Sequence, residues 1–242
     1  IPLPMVANVF LTGATDGLTA SDIAFSIVRS VHAWRNKEIT HQQLILQVIS
    51  ENPIPTEMMS EVCSISGNML NVPVVTPYNN VTADYLAANN QKEIVELCNE
   101  HRALLSDDEG YEYQMLFDVN LEKTTPAHAV FSPTLNPKLD ATQLFPQETN
   151  VTTAIIGGAS SGTYEGIASL MTMAKLLKAQ GKKVNTKLYV VPSTLRTYSA
   201  LEEDGVLSTL QAIGATILQP GQVSEIELGD FVVSTYNPSL IA

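Results

Sequence analysis

Short apolar runs alternate with amphipathic helical patterns along most of this 242-residue chain. A helix between two apolar strands makes the strands parallel neighbours, and parallel sheets are buried on both faces. The pattern therefore predicts an α/β fold, with two three-layer α/β domains built on mostly parallel sheets. In the first half, strands are expected at 4–13, 43–50 and 111–120, with a short extended run at 72–77. Helices are expected at 19–34, 55–70, 80–88 and 91–105. Thr19 or Ser21 would cap the first helix, and Ile23, Ile27, Val28 and Val31 would form its apolar stripe.

Residues 122–150 break the rhythm, with Pro126, Pro133, Pro137 and Pro146 in a stretch of no clear period. They read as a linker or wrapping segment, which divides the chain into 1–125, 126–150 and 151–242. The second half resumes with strand "TTAIIGG", helix 162–179, strand "TKLYVVPS", helix 194–213, and strands "ATILQP" and "GDFVVSTY". With 45% hydrophobic and 16% charged residues, the chain has enough apolar material for real cores, which excludes wholesale disorder. It has no internal repeats.

Formal net charge is −12, and no basic stripe exists to meet phosphates, so nucleic acid is not an expected partner. No apolar run approaches the roughly 18–20 residues of a membrane span. Cys63 and Cys98 make no zinc ribbon or CxxC and read as two buried thiols, with a disulfide open in an oxidising compartment. His32, His41, His101 and His128 have no metal-ligand partner at helical spacing, so no metal and no cofactor are expected. The acidic run "SDDEG" lacks the spacing of a calcium loop. The chain opens on Ile1 with no visible signal peptide, which reads as a processed or excised product. Asn80-Val81-Thr82 and Asn150-Val151-Thr152 fit the N-glycosylation pattern, and with the low Lys and Arg count they lean toward a secreted protein.

The loop "GGASSGT", between a strand and a helix, is the best small-molecule candidate. Gly158, Ser160, Ser161, Gly162 and Thr163 could offer N–H and hydroxyl donors to a phosphate, sulfate or carboxylate at a helix N-terminus. The competing reading is a tight turn in which Ser or Thr caps the helix. The Lys of a P-loop is missing.

Four segments in order resemble the aconitase superfamily: "EVCSISGNMLNVPVVTPYNNVTADYL", "SDDEGYEYQMLFDVNLEKTTP", "AIIGGASSGTYEG" and "VVPSTLRTYSALEEDGVLSTLQAIGATI". A fifth, "VVSTYNPSL", is similar to that family's V-[ST]-S-Y-N-R-N-F segment. The resemblance implies the second and third α/β domains of such an enzyme. The family's first domain and its swivelling domain have no counterpart in these residues.

The resemblance also implies dehydration of a hydroxy acid at a [4Fe–4S] cluster held by three thiolates. In the cluster motif G-S-C-T-N-S, Ala159 stands at the thiolate position. The segment "QPGQVSEIELGD", where the family carries a CxxC, has no cysteine. Ser64 and Asn68 stand where the family has Asn and Glu, and Pro238 follows Tyr236-Asn237 where it has a substrate Arg. The expectation is a pseudoenzyme: a degenerate, non-catalytic aconitase-like protein that binds a protein partner, a second copy of itself or a small anion. The alternative is a cluster-free lyase or isomerase acting on a small carboxylic acid, with Glu165 and His128 as acid–base groups. A third is one piece of a larger assembly. Family analogy would otherwise place the protein in mitochondria or cytosol.

Overall fold

A computed structural model describes residues 5–35, 44–106, 115–124, 130–132, 135–138, 150–158, 161–222, 227 and 230–235. The chain divides into two compact units, Ile1–His128 and Ala129–Ala242.

In the first unit, β1 (Met5–Thr12), β2 (Leu44–Ser50), β3 (Val74–Val75) and β4 (Leu116–Asn120) form one parallel sheet in the order β3-β2-β1-β4. Burial alternates along the strands as the pleat demands. Ala7, Val9, Leu11, Leu46 and Val48 are fully buried, whereas Val6 and Leu116 on the opposite face are exposed. Helices α1 (Ala20–Arg35) and α2 (Thr56–Leu70) pack together. On α1 the predicted stripe of Ile23, Ile27, Val28 and Val31 is fully buried. Thr19 is the cap: its N–H donates to Asp22 Oδ2 at 2.9 Å, and Asp22 N–H donates back to Thr19 Oγ1 at 3.3 Å. This reciprocal pair satisfies donors that a helix start leaves orphaned. Trp34 meets Phe117 edge-on, with ring centroids 6.0 Å apart, and ties the end of α1 to β4. After β3 come α3 (Asn80–Ala88), α4 (Lys92–Glu100) and α5 (Arg102–Leu105).

The second unit holds β7 (Thr153–Gly157), β8 (Lys187–Val191), β9 (Ala215–Ile217) and β10 (Val232–Ser234), all parallel, in the order β10-β7-β8-β9. Its helices are α6 (Tyr164–Ala168), α7 (Met171–Ala179), α8 (Leu195–Glu203) and α9 (Val206–Ala212). Ile167, Ala174, Val190, Leu201, Leu207, Leu210 and Ala215 form its core. Both sheets have the same strand order when strands are numbered within each sheet: third, second, first, fourth. This is a repeat of topology without a repeat of residues.

Three expectations need correction. Helix 91–105 breaks at His101 (φ −108°), helix 162–179 breaks at Ser169-Leu170, and helix 194–213 breaks at Asp204-Gly205. Gly205 takes φ +70°, a left-handed conformation that ends α8. The 122–150 stretch also contains an antiparallel pair, β5 (Val130–Ser132) with β6 (Leu135–Lys138). Proline spacing hid it, because three- and four-residue strands show no measurable period. Among the described residues, no helix is long and apolar enough to cross a membrane.

A Cβ at Gly205 would meet nothing closer than Ser208 Oγ at 3.8 Å, so only the backbone resists substitution. Gly205→Ala should destabilise the fold by about 1 kcal/mol in urea unfolding.

Candidate functional site

The first strand of the second unit's parallel sheet, β7, lies between β8, reached by one crossover, and β10, which the chain places on its other side. Ligands of open parallel sheets bind in the crevice beyond the strands' carboxyl ends at such a reversal. The turn after β7 and Thr235, immediately after β10, both belong to that crevice.

Glycine is required in this turn by close approach. Gly157 and Gly158 have φ +98° and +112°. A Cβ on Gly157 would lie 2.1 Å from the Val191 carbonyl oxygen, and one on Gly162 would lie 2.3 Å from the same atom and 2.5 Å from Ser193 N. The turn is thus pressed against the end of β8. Among the described residues of the turn, the Gly158, Ser161 and Gly162 amides and the Ser161 hydroxyl are used internally. Gly158 N–H donates to Val191 O at 2.7 Å, Gly162 N–H to Gly158 O at 2.9 Å, and Ser193 N–H to Gly162 O at 2.9 Å. Ser161 is buried and its hydroxyl donates to Gly157 O at 2.9 Å, with Thr235 Oγ1 3.4 Å away. Thr235 Oγ1 accepts Gly157 N–H at 2.8 Å, and Thr235 N–H donates to Ile155 O at 3.1 Å. Thr163 caps α6 by accepting Gly166 N–H at 3.2 Å.

Of the loop residues named from sequence, the structure brings Gly158, Ser161, Gly162 and Thr163 together, with Glu165 exposed in the first turn of α6. Ser64 and Asn68 share one face of α2 in the other unit, the first half-buried and the second exposed. Ala159, Ser160, His128 and Pro238 lie outside the described residues, as do Tyr236 and Asn237. Thr235 is the member that sequence reasoning missed. Its signal would be a hydroxyl just after a short apolar strand, but it acquires meaning only once that strand is known to neighbour β7.

Two further contacts set the local electrostatics. Tyr164 OH donates to Asp204 Oδ2 at 2.5 Å, and this bond holds the phenol above its ordinary range. It ties α6 to the break between α8 and α9. At the other end of the sheet, Asp230 accepts Glu227 N–H at 2.9 Å and the Thr152 hydroxyl at 2.8 Å. Those bonds, the backbone one foremost, hold its carboxyl below the usual range.

The [4Fe–4S] group that the resemblance implies needs thiolates. The loop after β7 offers hydroxyls turned onto carbonyls instead, and residues 129–242 contain no cysteine. Cys63 and Cys98 sit on α2 and α4 of the first unit. Burial pushes the Cys63 thiol up to about 11, so it is protonated at neutral pH. Among the described residues, no three His, Cys, Asp or Glu side chains group to hold a metal. The donor set does not fit an iron–sulfur cluster.

The model of the Aconitase family (aconitate hydratase) matches residues 1–226. The mitochondrial aconitate hydratase of Emericella nidulans is 26% identical over 223 residues, covering 89% of this chain and 28% of that protein. The probable mitochondrial aconitate hydratase of Caenorhabditis elegans is 24% identical over 223 residues, with the same coverage of 89% and 28%. That of Aspergillus fumigatus is 27% identical over 167 residues, covering 66% and 21%. The chain therefore spans roughly a fifth to a little over a quarter of the length of the curated relatives it matches. Among solved structures, the holo-form of aconitase X from Thermococcus kodakaraensis aligns with a TM-score of 0.46 at 10% identity, covering 90% of this chain and 44% of that one.

Three outcomes follow from this geometry. Gly162→Ala should cost roughly 2–3 kcal/mol in thermal or urea unfolding, because the clash is with backbone atoms that cannot swing aside. The stability contributed by Asp230 is complete above the ordinary carboxylate range, about 3.9, and is lost as pH falls through the lower folded value. The stability gap between the wild type and Asp230→Asn should therefore close as the solution is acidified below that range. Cys63 should resist alkylation by iodoacetamide in the native protein at neutral pH and react readily once unfolded, as read by peptide mass mapping.

Proposed function

This chain belongs to the aconitase family, and on that premise we propose that it is a non-catalytic member, without iron–sulfur chemistry, that acts by binding. In this reading the two units are the family's second and third α/β domains, with the active-site chemistry lost from both. The observation that carries it is the donor set. Ala159 occupies the thiolate position of the cluster motif, and the segment between "ATIL" and "FVVST" has no cysteine. A fourth iron cannot act on a substrate hydroxyl where no sulfur holds the cluster. The crevice residues support the same conclusion, since the Ser161 and Thr235 hydroxyls and the Gly158 and Gly162 amides bond to one another or to neighbouring carbonyls. Those bonds also favour a protein partner over a small anion, because an anion would have to displace them. Exposed large apolar side chains, among them Leu97, Leu104, Met173 and Leu176, supply area for such a partner.

Anaerobic incubation of the chain with ferrous iron and sulfide tests the reading. The expected result is no cluster absorbance in the visible range, no iron retained after gel filtration and no turnover of citrate or cis-aconitate. Retained iron and sulfide in equal amounts, with the brown colour of a cluster, would overturn it.

A further inference from the structure

Helices α3, α4 and α5 contribute no buried side chain. On α4, Val95 and Cys98 are half-buried and face inward, while Ile94 is 46% exposed and Leu97 56% exposed. At about 100° per residue, Leu97 falls between Ile94 on one side and Glu93 and Glu100 on the other. An apolar ridge thus runs directly beside a row of carboxylates. One residue further on, α5 adds Leu104 at 83% exposure and Leu105 at 41%.

The local charge is one-sided. Within the described residues 92–106, Glu93, Glu96 and Glu100 stand against Lys92 and Arg102. Arg102 is turned away from the row: Nη2 donates to Asn80 Oδ1 at 2.9 Å, and the guanidinium lies 5.9 Å over the Tyr78 ring. Among the described residues, Glu93, Glu96 and Glu100 have no ion-pair partner.

We propose that the outer face of α4 and α5 docks a basic amphipathic helix of a second protein. Its apolar side chains would cover Ile94, Leu97 and Leu104, and its Lys or Arg side chains would meet Glu93 and Glu100. Charge selects this occupant over a second copy of the chain. Pairing α4 with itself would set carboxylate against carboxylate on a molecule whose net charge is already −12. The proposal rests on the binding role given above, and the two fail separately. A cluster in this chain would refute that role without touching the peptide result, and an inert face would leave the cluster-free reading standing.

The test is anisotropy of a labelled peptide of about 18 residues, five helical turns, with Leu on one face and Lys on the other, titrated with the whole chain. Its control is the same peptide with Glu for Lys. The Lys peptide should bind, the Glu peptide should not, and added salt should weaken binding. The double variant Ile94→Ser/Leu97→Ser should weaken binding about tenfold or more, with circular dichroism unchanged because both residues are on the surface. Glu93→Lys/Glu100→Lys should also weaken it. Met173→Ser/Leu176→Ser, exposed on α7 in the other unit, should leave it unaltered. Absence of binding would overturn the proposal, as would binding indifferent to Ile94→Ser/Leu97→Ser. So would sedimentation showing a dimer that Leu97→Ser dissolves.

Discussion

One carbonyl oxygen, that of Val191, fixes the geometry of the second unit's crevice. It accepts the Gly158 N–H, and it sits where a Cβ on either Gly157 or Gly162 would have to go. The turn therefore closes tightly onto the end of β8, and that closure turns Ser161 inward. The Ser161 hydroxyl then reaches the Gly157 carbonyl, and Thr235 locks the end of β10 onto the same residue by accepting the Gly157 N–H at its hydroxyl. Among the described residues, the Gly157, Gly158, Ser161, Gly162 and Thr235 polar groups at this place, where an open parallel sheet would ordinarily receive a ligand, bond to one another or to neighbouring carbonyls.

Much of the fold could be read from the residues. Strand cores such as "NVFL" and "AIIG" are apolar on one or both sides, and the α1 stripe repeats at helical spacing, so element type and approximate position follow from periodicity. The breaks within helices could not be read in the same way. The patterns at 162–179 and 194–213 continue in hydrophobicity across the break, and only the left-handed conformation at Gly205 or the short turn at Ser169-Leu170 interrupts them. The shared strand order of the two sheets was also hidden, because it is a property of crossovers rather than of residues.

The site was legible in part. The glycines of "GGASSGT" announced a tight turn before a helix, and Thr163 does cap α6. What the sequence did not reveal is the direction of the polar groups. Ser161 looks like a donor for a ligand until the position of the Gly157 carbonyl is known, and Thr235 looks like an ordinary strand residue until β10 is placed beside β7. Hydroxyl rotors and turn amides serve ligands or the fold equally well, and only tertiary geometry decides between them.

The chain belongs to the aconitase family, whose model matches residues 1–226. In the proposed reading, membership and chemistry separate: the chain's two cysteines both lie in the first unit, and Ala159 stands at the position that the resemblance assigns to a cluster thiolate. Among the described residues, exposed apolar side chains such as Ile94, Leu97 and Leu104 beside Glu93 and Glu100 supply the surface that the proposed binding role uses. Native mass spectrometry of the protein isolated anaerobically from its source weighs that claim most directly. A cluster-free scaffold gives the mass of the polypeptide, alone or with a protein partner. A mass increment of four irons and four sulfides on the chain itself would contradict the account.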